Sequence, residues 1–184
     1  MEKFLEFLDA EGCEYEIQDG AIRVLDTLEP YEVRFDNIVI PENTDFTKGL
    51  DLECYEGDIQ FPESFKVANI LALRDTSIKR LPSNLTLYNY CSVYVDAHKI
   101  ENVSYSDRCG FLGRTIFAFW ANNDFLIAAG CFTGTYSEFE ERIKTARYYS
   151  KADATEYKRK VRGCISRLAK KLGKPDPFKK ATAN

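Results

Sequence analysis

Leu71-Ala72-Leu73-Arg74-Asp75-Thr76-Ser77-Ile78-Lys79-Arg80-Leu81-Pro82-Ser83-Asn84-Leu85-Thr86-Leu87-Tyr88-Asn89 decides the reading of this chain, because it restates the residues just before it. Leu50-Asp51-Leu52, Phe61-Pro62 and Phe65-Lys66-Val67-Ala68-Asn69 make the preceding copy. Pro62 to Pro82 spans 20 residues, as do Phe65 to Leu85, Val67 to Leu87 and Asn69 to Asn89. Fainter copies flank the pair. Ile40-Pro41 stands 21 residues before Phe61-Pro62, and Val93, Val95, Ile100 and Val103 stand 22 residues after Leu71, Leu73, Ile78 and Leu81. A unit this short cannot bury its own apolar edge, so its copies must stack as the coils of a solenoid. The Leu-x-Leu pairs are then parallel strands about 4.8 Å apart with leucines inward. The prolines end one side of each coil, since proline donates nothing to a ladder. Asn69 and Asn89 fall at corners, where a short amide tolerates a left-handed backbone.

Working outward, residues 1–32 read as a helix-hairpin cap. Phe4, Leu5 and Leu8 give one apolar helical face, Gly12 a stop, and Asp19-Gly20 between alternating segments a tight hairpin. Residues 33–103 hold the solenoid, entered through a degenerate repeat with Val33, Phe35, Ile38, Ile40-Pro41 and Phe46. Residues 104–184 form a tail. A glycine-bearing junction leads to two strands apolar on both faces, residues 115–120 and 125–132, joined by a turn at 121–124. Two overlapping capping boxes, Thr135/Glu138 and Ser137/Glu140, open a helix carrying Phe139, Ile143 and Ala146. A second helix, 153–172, puts Tyr157, Val161, Cys164, Ile165, Leu168 and Leu172 on one stripe and closes at Gly173 and Pro175. The last ten residues are expected to be loose. The expected fold class is α+β: a short parallel β-solenoid of three to four coils between a cap and a hairpin-plus-two-helix module.

The repeat resembles the short leucine-rich-repeat-like proteins of bacteriophages and mobile elements, whose units read L-x-L-x-x-T-x-I-x-x-L-P-x-x-L-x-V. Residues 71–87 follow that pattern closely, and the likeness extends over 33–103. The copy at 50–69 departs where Cys54-Tyr55-Glu56-Gly57-Asp58 replaces the Thr-x-Ile segment, and the last copy has Asn102-Val103 in place of Leu-Pro. The hairpin running through Gly-Cys-Phe-x-Gly-Thr into a capped helix is similar to a tail module on some of the same phage proteins. The resemblance brings no catalytic residues. It implies a binding surface, with antagonism of a host nucleic-acid-targeting defence complex, such as CRISPR or restriction, as the natural use.

Composition bounds the function. Apolar residues make up 45% and aromatic residues 14% of the 184, which excludes a disordered chain. No apolar run reaches the length of a membrane span, and the charged start lacks a signal-peptide core, so a cytoplasmic protein without membrane partners is expected. Six scattered cysteines with no C-x-x-C suit buried thiols rather than a zinc site or a disulfide scaffold. No cofactor or metal is expected, and the P-loop, G-x-S-x-G and H-E-x-x-H patterns are all missing. A cysteine–histidine catalytic pair would have to use His98, the one histidine, with Cys91 the nearest thiol in sequence; packing accounts better for Cys91. The expectation is a non-enzyme.

Net charge is −4, but it is unevenly divided. Residues 1–63 hold 18 acids against 4 bases, whereas 151–184 hold 11 bases against 3 acids. The acidic half could imitate a nucleic-acid backbone and draw a partner with a basic surface. Asp51, Glu53, Glu56, Asp58 and Glu63 are the acids a solenoid would hold in fixed array. The outward strand positions Asp51, Glu53, Ala72, Arg74, Tyr94 and Asp96 form the expected ligand-facing sheet, with Arg74 and Tyr94 as anchors. The competing use is nucleic-acid binding through the basic last helix, by Lys158, Arg159, Arg162, Lys170 and Lys171. Trp120 is expected in the core.

Overall fold

The computed structural model describes residues 1–30, 35–88, 90–109, 113–147 and 149–179. Val33, Asn89 and residues 110–112 therefore lie outside the described residues. Helix α1 (Glu2–Ala10) opens the chain and buries Phe4, Phe7 and Leu8, with Leu5 half-buried beside them. The hairpin β1 (Tyr15–Gln18) and β2 (Ala21–Val24) follows. Asp19 and Gly20 have φ of 53° and 77°, the paired left-handed residues that make an Asp-Gly turn match the twist of its strands.

From β2 the chain winds through three-sided coils. The first coil carries β2, β3 (Thr27–Leu28) and β4 (Asn37–Val39); the second carries β5 (Thr44–Phe46), β6 (Gly49–Asp51) and β7 (Asp58–Gln60). The third carries β8 (Phe65–Val67) and β9 (Ile70–Ala72), the fourth β10 (Thr86–Leu87) and β11 (Ser92–Tyr94). Two sides are thus four parallel strands deep, β2-β5-β8-β10 and β3-β6-β9-β11, and three turns separate their first and last layers. Coiling starts at residue 21 rather than 33, because the hairpin's second strand is already a solenoid strand. The third side has one parallel pair, β4 with β7. Beyond it Asp75, with φ of 54°, and Pro82, with no N–H, bracket an irregular stretch.

Register stacks like on like. Leu28, Leu50, Leu71 and Val93 form one inward column, and Val24, Phe46, Val67 and Leu87 another. Each is at most 5% exposed. A chain of rings runs along the core: Phe4 meets Phe46 edge-on at 6.4 Å, Phe46 meets Phe65 at 5.9 Å, and Phe61 stacks on Phe65 at 5.1 Å. The buried Thr44 hydroxyl donates to the Pro41 carbonyl at 2.7 Å, so that hydroxyl is not stranded. Asn69, with φ of 56°, donates its amide to the Lys48 carbonyl at 2.8 Å, as its corner position anticipates.

The tail is a four-stranded antiparallel sheet, β12 (Ser104–Cys109), β13 (Arg114–Ala121), β14 (Asp124–Ala129) and β15 (Phe132–Gly134), packed on α2 (Tyr136–Thr145) and α3 (Lys151–Leu172). Sequence periodicity indicates only the two central strands, whose double apolarity now has a cause. Phe117, Phe119, Ala121, Leu126 and Ala128 face the solenoid core, while Ile116, Ala118, Phe125, Ile127 and Ala129 face the helices. Of the two candidate caps, Thr135 and Glu138 form the capping box, and Glu140 instead accepts from the Tyr136 hydroxyl at 3.1 Å. Ser150 caps α3, which buries Tyr157, Val161, Cys164, Ile165, Leu168 and Ala169 and ends at Gly173, φ 64°. Trp120 corrects the expectation of a core ring. It is half-buried, edge-on to Phe125 at 5.0 Å, with the Lys174 ammonium 3.7 Å from its ring, a cation–π contact at the surface.

Two asparagine amides finish the solenoid's open end. Asn122 in the β13–β14 turn accepts from the Leu87 N–H at 2.7 Å and donates to the Leu87 carbonyl at 2.9 Å. Asn102 treats Leu81 the same way, at 2.9 and 2.7 Å. Each side-chain amide imitates the peptide of a missing next strand.

Candidate binding surface

The second side of the solenoid holds the outward residues that the sequence points to. Across coils two, three and four the register aligns Asp51, Ala72 and Tyr94. The next outward positions along the chain are Glu53, Arg74 and Asp96. Arg74 donates to Glu53 across the coil at 2.9 Å and lies over the Tyr94 ring at 5.3 Å. Asp96 accepts from Lys99 at 2.7 Å and from the Asp75 N–H at 2.9 Å. Burial works to raise the Asp96 carboxyl, but these donors outweigh it and hold the group below its usual range. Lys99 also pairs with Asp75 at 3.5 Å. Asp51 is half-buried and accepts from the Glu53 N–H at 3.1 Å. The result is a set of charges fixed by backbone spacing, with an arginine–tyrosine pair at its centre.

Two expectations need correction. Ala72 occupies an outward register position, between Asp51 and Tyr94, but is buried at 1% exposed. The acids do not form one array: Asp58 is on β7, on the third side, and Glu63 is at the corner leading to β8. Three-sided coils separate residues that are near in sequence. Glu63 instead bonds the Ser83 hydroxyl at 2.5 Å, and Glu56 lies between the second and third sides.

The basic helix is largely committed to the fold. Lys171 donates to the Val103 carbonyl at 2.8 Å and the Glu101 carbonyl at 3.2 Å. Arg162 donates to the Tyr136 hydroxyl at 2.7 Å and stacks on Tyr136 and Phe178, and Lys158 pairs with Glu140 at 3.5 Å. Arg167 and Lys160, outside the expected set, bind the Tyr105 and Arg108 carbonyls at 2.8 and 2.6 Å. Arg159 and Lys170 are exposed, with no ion pair among the described residues. The helix uses its positive charge to satisfy carbonyls of the last coil and the irregular β12, which composition alone cannot distinguish from a phosphate-binding face.

Where the third side loses its ladder, a concavity of about 770 Å³ opens among Phe61, Arg80, Asn84, Trp120 and Lys174. Among the described residues no group of three or more His, Cys, Asp or Glu is placed to hold a metal, and no helix is long and apolar enough to cross a membrane. Cys91 is buried, which pushes its thiol up to about 12, the opposite of an activated nucleophile, and His98 is exposed. Burial likewise moves Cys164 to about 11. A thiol reagent at pH 8 should therefore modify the exposed Cys54 and Cys131 first. Cys91 and Cys164 should react at the rate of unfolding, read by mass spectrometry of labelled peptides. Since both thiols ionise later when folded, their contribution to stability is complete below 9.0 and is lost as pH rises from there towards 11–12. Comparison with protein-family models, curated proteins and solved structures finds no match for this chain.

Proposed function

We propose that this chain is a non-catalytic binding protein that holds a protein partner with a basic surface against the second side of its solenoid. The observation that carries this reading is the fixed set of Asp51, Glu53, Arg74, Tyr94 and Asp96, five side chains brought by three coils to one side. Stacked strands keep such a surface rigid, so little ordering entropy is lost on binding. The acidic excess of residues 1–63 adds long-range attraction to a basic partner and fast, salt-sensitive association. The resemblance of the repeats to phage proteins supports a finer reading: stoichiometric inhibition of a host complex that handles nucleic acid, whose phosphate-binding groove is such a surface. Nucleic-acid binding by α3 has less support, since Lys158, Arg162 and Lys171 already have partners within the chain.

The test is affinity capture from the cells in which the chain acts, comparing the native protein with an Asp51→Lys, Glu53→Lys variant. Glu53 is exposed and Asp51 half-buried, and neither belongs to the buried core, so the variant should keep its melting temperature within a few degrees. Capture of a stoichiometric protein should fall by at least about tenfold in the variant. It should also weaken for the native chain between about 50 and about 300 mM salt. Equal capture by both proteins at both salts would remove the proposal, as would retention of DNA or RNA with no protein.

A further inference from the structure

In the first three coils two residues connect the first side to the second: Leu25-Asp26, Thr47-Lys48 and Ala68-Asn69. The register fixes this, pairing Val24 with Phe46 and Val67, and Thr27 with Gly49 and Ile70. In the fourth coil Leu87 is the partner of Val67 and Ser92 the partner of Ile70, so four positions of sequence separate the two sides where the other coils have two, and of these Tyr88, Tyr90 and Cys91 are described. Insertions into a repeat leave the stack intact and project from one face, which is where repeat proteins place contacts.

The described residues of this corner are secured, with one exception. The Tyr88 N–H donates to the Val67 carbonyl at 3.0 Å and its hydroxyl to Asp45 at 2.8 Å. Cys91 is buried, and its N–H donates to the Tyr88 carbonyl at 3.1 Å. Tyr90 is 96% exposed and has φ of 66°. A large aromatic side chain rarely adopts that backbone, which suits Gly or Asn, and here it gains no burial in return. Beside it lies a concavity of about 540 Å³ whose lining includes Tyr90, Phe132, Arg142 and Thr145 together with Glu138, whose carboxylate is held by the Thr135 N–H and hydroxyl in the α2 capping box. Arg142 sits over the Phe132 ring at 5.5 Å and has no ion pair among the described residues. The corner leads directly into β11, which carries Tyr94, so this patch adjoins the second side.

We infer that Tyr90 is the anchor of a protein-partner contact, inserted into the partner while a partner carboxylate reaches Arg142. The inference rests on the proposed protein-binding role and extends its surface over the corner. An exposed tyrosine beside an arginine on an aromatic ring is the composition of an interface centre. Its backbone conformation is a cost that folding alone does not repay.

Two measurements test it. The first needs no partner: Tyr90→Gly should melt at or above the native temperature, because glycine relieves the left-handed strain. A fall of more than about 4 °C would make Tyr90 a structural residue and overturn the inference. The second uses the protein captured by the native chain, purified and titrated against Tyr90→Ala and Tyr105→Ala, the latter a tyrosine 39% exposed on β12. Tyr90→Ala should weaken affinity by about tenfold or more, Arg142→Ala by a smaller factor, and Tyr105→Ala within about twofold. If Asp51→Lys, Glu53→Lys abolishes binding but Tyr90→Ala does not, the proposed function stands and this inference fails. A native dimer dissociated by Tyr90→Ala in light scattering, or single-stranded DNA bound through Tyr90, would assign the patch to another occupant and overturn it equally. If no protein is captured at all, both readings fall together.

Discussion

Replacing Phe65 by alanine is expected to cost about 3–5 kcal/mol, enough to unfold much of the population of an ordinary domain. Phe65 is 1% exposed and lies in the row of rings that begins at α1, with Phe46 at 5.9 Å on one side and Phe61 stacked at 5.1 Å on the other. Its loss opens a cavity that two adjacent coils must share. Neither can close it, because the ladder fixes their separation at about 4.8 Å. Phe65→Leu keeps most of the volume and should cost about 1–2 kcal/mol. Urea unfolding followed through Trp120, the one tryptophan, measures both. Equal, small losses for the two variants would mean that the coils can collapse around the gap, contrary to a stiff stack.

The second large effect is expected at Asn122. Asn122→Gly removes the amide that satisfies the N–H and carbonyl of Leu87, while glycine keeps the φ of 54°. Each backbone group left without a partner costs roughly 1–3 kcal/mol. Access of water to the turn lowers the sum, and a total of about 2–3 kcal/mol follows. Asn122→Ala should lose about 1 kcal/mol more, since alanine resists a left-handed backbone. The order Asn, Gly, Ala in urea midpoints separates the two causes. A Gly variant as stable as the native protein would show that the amide does not seal the last coil.

The solenoid was legible because its signal is a period. Leu71, Leu73, Ile78, Leu81, Leu85 and Leu87 repeat at a spacing that periodicity alone reveals, and the register bears it out. The start of the coils was not legible: residues 21–28 alternate like any hairpin strand, and only pairing with residues 44–50 makes them solenoid. β12 and β15 escaped because Ser104-Tyr105-Ser106-Asp107-Arg108-Cys109 and Phe132-Thr133-Gly134 are short and mostly polar, and tertiary pairing decides such segments. The candidate surface was half legible. Strand alternation put Asp51, Arg74 and Tyr94 on one side correctly, while Glu56, Asp58 and Glu63 required knowing where each coil bends. Tyr90 left a trace in the 22-residue spacing of the last repeat, where 20 and 21 precede it, but spacing does not say which corner holds the extra residues.

The β13–β14 hairpin gives one face to the coils and the other to α2 and α3. Neither core is then complete when the hairpin is out of place, and loss of either exposes aromatic rows on the other. A free-standing array of coils melts from its ends inward, one layer at a time. Here the outermost layer is tied to a module of its own, and the chain should lose its structure as a single unit, with amide exchange in the fourth coil as slow as in the second.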